Sequence, residues 1–292
     1  MSDQPILVLG ASGNVGSALS NRLAATGRPV RAFFDPSTPR RAAFAAGVEI
    51  VHGRFEDADA LRAAAAGVAA VFLLTPPHPA QVAWQRSAVE AAQRGGAQRI
   101  VKLSAFESGA ESPLHMGRWH HDGELAVRDS GLAWAIVRPQ YFLQNLRPAW
   151  QRAVADGVLA GAAAPDLRLG LVDVEDVAAV AAVALTSPAH DGEVLVPTGP
   201  QALSFDDIAA RIGRFAGRDI VYRQRPRDEV AAELVQRGFP DWHVEDYFAI
   251  HGTAASDLVT TTVADVTGRP ARGLEDVLRR DGLEAAVAPR GR

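Results

Sequence analysis

No cysteine occurs among the 292 residues. That absence removes disulfides, thiolate catalysis and cysteine-ligated metal or iron–sulfur sites together, and it fits a reducing compartment. Lysine is almost as scarce. Of the thirty basic residues only Lys102 is a lysine, so any lysine-dependent step has a single candidate. An excess of positive charge is missing too. A net charge of −4 provides no field to hold nucleic acid or an anionic membrane, and no direct contact with either is expected. Long apolar runs are absent: the alanine-rich stretches meet Asp, Glu or Arg well before they could span a bilayer. Met1 to Pro5 lead straight into a short apolar stretch, without a charged n-region or a long hydrophobic segment. The chain therefore reads as cytoplasmic.

What remains is a globular composition, 48% hydrophobic and 22% charged, long enough for one large core with a smaller lobe. The first half alternates two kinds of segment. Short apolar runs at 6–9, 30–34, 48–51, 69–74, 99–104 and 132–138 read as strands. Helical spacing fills the intervals at 14–26, 57–66, 80–94 and 114–130. Continuously apolar strands separated by helices imply βαβ units. The expected fold is therefore α/β, a doubly wound Rossmann-type parallel sheet with a smaller C-terminal substrate lobe. After Pro139 the rhythm loosens. Helices at 173–186, 204–216 and near 226–250 are expected there, with strands near 193–196 and 219–222 and a loop or weak strand at 162–170. The division expected is 1–150 for the dinucleotide-binding body and 151–292 for the lobe, which partly returns to the main sheet; the last dozen residues read as frayed.

The most informative segment is Gly10-Ala11-Ser12-Gly13-Asn14-Val15-Gly16. It follows the first strand and opens the first helix. Gly10 can take backbone angles closed to other residues. Gly13 lets the main chain approach a pyrophosphate, Gly16 permits tight helix–sheet packing, and the helix start aims free N–H groups at the anion. A nicotinamide dinucleotide, NADH or NADPH, is the implied cofactor. Asp35 ends the second strand at the offset of a carboxylate that binds the adenosine ribose, which leans the reading to NADH. Arg31, Arg40 and Arg41 lie near enough in sequence to offset it, and Asp35-Pro36 also reads as a simple turn.

The turn GASGNVG, together with GVAAVFLLTPP (67–77), RIVKLSAFES (99–108), HHDGE (120–124), SGLAWAIVRPQYFLQN (130–145) and TGRPARGLEDVL (267–278), resembles the NmrA-like group of atypical short-chain dehydrogenases/reductases. The likeness is strongest to its quinone oxidoreductase type 2 and triphenylmethane reductase branch, and it covers nearly the whole chain. The resemblance implies that Thr75 and Pro76 flank the adenine and ribose side and that Ser104 and Ala105 lie near the nicotinamide ribose. It sets Tyr141, Phe142 and Asn145 against nicotinamide and substrate. Three departures stand out: Arg54 where relatives often carry Asp, Asp35 where arginine is common, and Gln140 where many have glycine.

Ordinary members of the wider family use a Tyr-x-x-x-Lys pair on the helix after the fifth strand, but residues 111–130 contain neither residue. Alcohol–ketone interconversion loses its usual proton donor. Hydride transfer to quinones, dyes or conjugated enones, which spread the incoming charge, stays open. His120 and Glu124 are spaced i, i+4, a pair that would orient the imidazole and raise its pKa as an acid or base, or merely stabilise the helix surface. Lys102 shares a strand face with Ser104 and is read either as a cofactor contact or as a structural lysine. Trp119, Trp150, Trp242, Tyr247 and Phe248 are candidates to wall a flat substrate, with core packing the default for each. The histidines show no zincin spacing, and no metal is expected. The leading expectation is an NAD(P)H-dependent reductase of a small aromatic or conjugated substrate, with catalytic candidates His120, Glu124 and Tyr141, acting as a monomer or homodimer. Two alternatives are a dinucleotide-binding redox sensor working through a protein partner and a non-redox enzyme of cyclisation or isomerisation.

Overall fold

The computed structural model describes residues 4–39 and 43–282. Its first part runs β1 (Ile6–Leu9), α1 (Asn14–Ala25), β2 (Val30–Phe34), β3 (Val48–His52), α2 (Ala58–Ala65), β4 (Ala70–Leu73), α3 (Gln81–Arg94), β5 (Arg99–Leu103), α4 (His115–Arg128) and β6 (Ala133–Val137). There follow β7 (Tyr141–Phe142), α5 (Arg147–Asp156), β8 (Val158–Gly161), β9 (Arg168–Val172), α6 (Val174–Thr186) and β10 (Glu193–Leu195). The chain continues through β11 (Ala202–Ser204), α7 (Phe205–Ala216), β12 (Val221–Gln224), α8 (Arg227–Gln236), α9 (Asp241–Ile250), α10 (Thr262–Thr267) and α11 (Leu274–Arg280).

One seven-stranded sheet carries the first body in the order β10-β6-β5-β4-β1-β2-β3, and every pairing in it is parallel. The order reverses between β1 and β4, which is where an open parallel sheet offers a crevice for ligand. Strand alternation divides the core. Ile6 and Val8 face α1 and α6, while Leu7 and Leu9 face α2, α3 and α4. Helix α6 and strand β10 lie beyond residue 150 yet complete this body: α6 buries Val177, Val180 and Ala181 in the same core as Leu19 of α1, and β10 extends the sheet at β6.

The second lobe is built from small pieces, a three-stranded sheet β11-β9-β7 and the pair β12-β8. Trp150 is fully buried there among Leu159, Ile208 and Ile212. It packs the lobe and walls no substrate site. Several elements differ from the sequence expectation. Helix α5 was not expected, although Pro148 in its first turn and the left-handed Gly157 at its end are standard signals. The weak segment at 162–170 resolves into a loop followed by the buried strand β9, and the strand expected at 219–222 lies two residues later as β12. The residues 226–250 form two helices, α8 and α9. The expected fraying falls mostly outside the described residues. Among the described residues, no helix is long and apolar enough to cross a membrane.

Candidate functional site

The glycine turn closes around its own backbone. Gly10 has φ +73°, and a Cβ there would lie 2.5 Å from Leu74 O. A Cβ on Gly16 would lie 2.3 Å from Gly10 O, whereas one on Gly13 meets nothing nearer than 3.5 Å. Gly10 and Gly16 are thus required by the fold, and Gly13 leaves its outer side clear. The first helical hydrogen bond runs from Ser17 N to Gly13 O (3.0 Å), so the amides of Asn14, Val15 and Gly16 precede it. No side chain caps this end. Ser12 and Asn14 form no side-chain hydrogen bond among the described residues. Uncapped amides over a cleared glycine suit a diphosphate.

At the end of β2, Asp35 accepts hydrogen bonds from Ser37 N (2.8 Å) and Ser37 Oγ (2.7 Å), and Arg54 Nε approaches its other oxygen at 3.0 Å. Those hydrogen bonds hold the carboxyl below its usual range. Two of the departures from the family pattern, Asp35 and Arg54, are therefore partners of each other. Arg31 does not offset Asp35 as expected: its guanidinium points away to Glu49 and to the carbonyls of Ala64 and Ala66. Arg40 and Arg41 lie outside the described residues.

The densest polar group sits at the ends of β4 and β5. Alternation turns Lys102, Ser104 and Thr75 toward α3 and α4, opposite Val101 and Leu103. Two i, i+4 pairs on those helices meet them, Gln81 with Gln85 and His120 with Glu124. Lys102 is fully buried; its Nζ lies 2.9 Å from His120 Nδ1 and donates to Leu103 O at 3.2 Å. Gln81 Nε2 reaches the same Nδ1 at 3.3 Å, and Gln85 Nε2 donates to Thr75 Oγ1 at 2.9 Å. Glu124 accepts from Ser104 Oγ (2.5 Å) and Arg138 Nε (2.8 Å). The amide oxygens of Gln81 and Gln85 are buried without a donor.

This geometry corrects the His120–Glu124 pairing. Glu124 serves Ser104 and Arg138, and His120 serves Lys102. The imidazole is not raised: burial, then the charges of Lys102 and Arg138, hold it well below its usual value. Burial also pulls Lys102 down to about 7, against the attraction of Glu124 and with the repulsion of Arg138. Burial acts to raise the Glu124 carboxyl, but hydrogen bonds from Arg138 and Ser104 outweigh it and keep it below the usual range. Lys102 has no exposed surface, so its partner is His120 rather than an open cofactor cleft.

Asp246 on α9 is a residue that sequence reasoning missed. Its buried carboxylate accepts from His115 N (2.8 Å) and Met116 N (2.9 Å) and pairs with His115 Nδ1 (3.0 Å). It caps α4 from the second lobe, the role an N-cap side chain would fill locally. Beside it Trp119 meets Trp242 edge-on, centroids 4.9 Å apart.

Tyr141 and Phe142 do not frame one space. Consecutive strand residues face opposite ways: Phe142 packs on the sheet core and Tyr141 on the lobe core. Tyr141 and Asn145 line a lobe cavity of about 200 Å³ together with Tyr222, Tyr247 and His251, so all three tyrosines of the chain share it. Burial raises the Tyr141 phenol, which stays protonated. Gln140 is buried, its amide donating to Ser256 Oγ at 3.2 Å and its chain against Gly170; it projects into no open space. Pro76 follows Thr75 at the exposed rim.

Residues 2–257 match the NmrA-like family. The chain belongs to that family. It is 36% identical over 277 residues to a (4-alkanoyl-5-oxo-2,5-dihydrofuran-3-yl)methyl phosphate reductase of Streptomyces griseus, covering 93% of this chain and 95% of that one. It is 32% identical over 270 residues to an NAD(P)H azoreductase of Xenophilus azovorans, with 91% and 94% covered. Among solved structures, an NADPH-dependent quinone oxidoreductase of Escherichia coli in complex with NADPH superposes with a TM-score of 0.80 at 25% identity, over 95% of this chain and 99% of that one.

Proposed function

We propose that the protein is an NAD(P)H-dependent reductase of flat quinoid, azo or otherwise conjugated small molecules. The observation that carries the reading is the uncapped start of α1 over Gly13, a cradle that fits a diphosphate. The bound dinucleotide would supply the hydride. Around it, the amides of Asn14, Val15 and Gly16 hold the phosphates, and Ser12, Thr75, Pro76 and Ser104 line the crevice at the strand ends. Tyr141 and Asn145 approach the acceptor from the lobe, with Trp119 at its edge. Acceptors that delocalise charge need positioning more than a strong acid, which suits a helix α4 without tyrosine or lysine. The names of the azo, quinone and butenolide relatives support this substrate class.

NADH is the preferred form in this reading, because the Asp35 carboxylate repels a 2′-phosphate. Arg54 on Asp35 makes that preference small. The test is oxidation of NADH and NADPH across quinones, azo compounds and enones, beside calorimetry on Gly13→Val. The variant is expected to fold and to lose dinucleotide binding. Tight binding by wild type with no turnover of any acceptor would favour the sensor alternative, and wild type without binding would end the proposal.

A further inference from the structure

The acid–base pair that ordinary members of the wider family carry on this helix is absent from α4, yet a different pair, one residue on α4 and one on β5, stands beside it. In a βαβ unit the helix runs antiparallel to its strands, so the start of α4 lies at the carboxyl edge of the sheet. Glu124 on α4 reaches Ser104, the residue just past β5. His120 is about one helical turn, roughly 6 Å, farther toward that edge, the edge at which ligands of open parallel sheets bind. Its Nδ1 points inward at two donors, Lys102 Nζ and Gln81 Nε2. An ammonium has donors only. The neutral ring therefore carries its hydrogen on Nε2, which has no hydrogen-bond partner among the described residues.

A structural role accounts poorly for this arrangement. A buried ammonium with two unpaired amide oxygens nearby costs stability. Twenty-nine of the thirty basic residues are arginine, and the exception is, among the described residues, the one that is completely buried. Arginine cannot release its proton in a protein, whereas a buried lysine can.

We propose that Lys102 and His120 form a proton relay that delivers the second hydrogen to the reduced acceptor. The inference rests on the reductase reading above. With an azo acceptor, the hydride adds to one nitrogen and the N=N electron pair moves to the other. That nitrogen takes the Nε2 proton of His120, and Lys102 passes its proton to Nδ1. The product is the hydrazine, with one hydride and one proton consumed. His120 remains neutral throughout, and after product leaves, solvent protonates Nε2 and the proton returns to Lys102. Lys102 is a positioning and proton-storing residue, since of the two only His120 faces the acceptor while Lys102 is fully buried. The charged groups around the pair are Glu124 and Arg128 on α4 and Arg138 beyond β6; Gln81 and Gln85 on α3 are neutral.

Two acceptors separate the relay from a structural effect. An azo compound needs a hydride and a proton, whereas a cationic triarylmethane dye needs the hydride alone. Lys102→Met and His120→Gln are expected to lose at least tenfold more turnover on the azo compound than on the dye. The wild-type azo rate should fall as pH rises above about 7, and that limb should flatten in Lys102→Met. Without cofactor, nitrogen NMR of labelled histidine should show His120 with its hydrogen on Nε2, and Nδ1 should respond to a titration near neutrality that Lys102→Met abolishes. Equal losses on both acceptors, or an Nδ1 resonance that ignores pH, would overturn the relay. Wild type silent on both acceptors would instead defeat the reductase reading, and the NMR titration would still decide the relay.

Discussion

Lys102→Met gives the sharpest thermodynamic test of the buried cluster, because methionine nearly matches the lysine stem in length without the ammonium. In the folded protein Lys102 titrates at about 7, against 10.5 as its ordinary value. Below the lower value both folded and unfolded chains hold the proton, and the full cost of burying the charge is present. Between the two values only the unfolded chain holds it, so wild-type stability rises with pH. At roughly 1.4 kcal/mol per unit, a change from about pH 6.5 to about pH 9.5 stabilises wild type by about 3 kcal/mol through this group alone. The methionine variant lacks the contribution, while every other titrating group is shared. Urea unfolding of both proteins across that range is the assay. The stability difference, wild type minus variant, should increase by about 3 kcal/mol toward high pH. Parallel profiles would show that Lys102 is not held in the desolvated state described above.

Asp246→Ala removes the cap that the lobe places on α4 and should cost about 1–2 kcal/mol, measured by denaturant midpoint, with Asp246→Asn costing less because one acceptor oxygen remains. Gly16→Ala should destabilise the fold through its contact with Gly10 O, while Gly13→Ala should leave the unfolding midpoint almost unchanged and weaken dinucleotide binding; calorimetry and thermal unfolding separate the two. Arg54→Ala should widen the preference for NADH and Asp35→Ala should shift it toward NADPH, each read as a ratio of dissociation constants.

The glycine turn, the alternation of strands and helices and the parallel sheet were legible in the sequence because each is a local pattern. Strand β5 needs only its own apolar residues, and the turn at Gly10 needs only freedom from a Cβ. Period-two alternation also put Lys102 and Ser104 on one face without any coordinates. The same rule, applied to Tyr141 and Phe142, would have separated them. The i, i+4 spacing of Gln81 and Gln85 was equally visible, but a pair of amides on a helix carries no signal until its partner is known.

Tertiary structure decided the partners. His120 and Glu124 are neighbours on one helix, and sequence spacing pairs them; packing against β5 and β6 instead gives His120 to Lys102 and Glu124 to Ser104 and Arg138. Asp246 caps a helix that begins more than a hundred residues earlier, a contact no window of sequence contains. Asp35 and Arg54, each a departure when read alone, become one ion pair when β2 and β3 lie side by side. The backbone's conformational preferences and the hydrophobic pattern are written residue by residue. Which charges are desolvated, and which groups compensate them, depends on distances through space that only the folded chain sets.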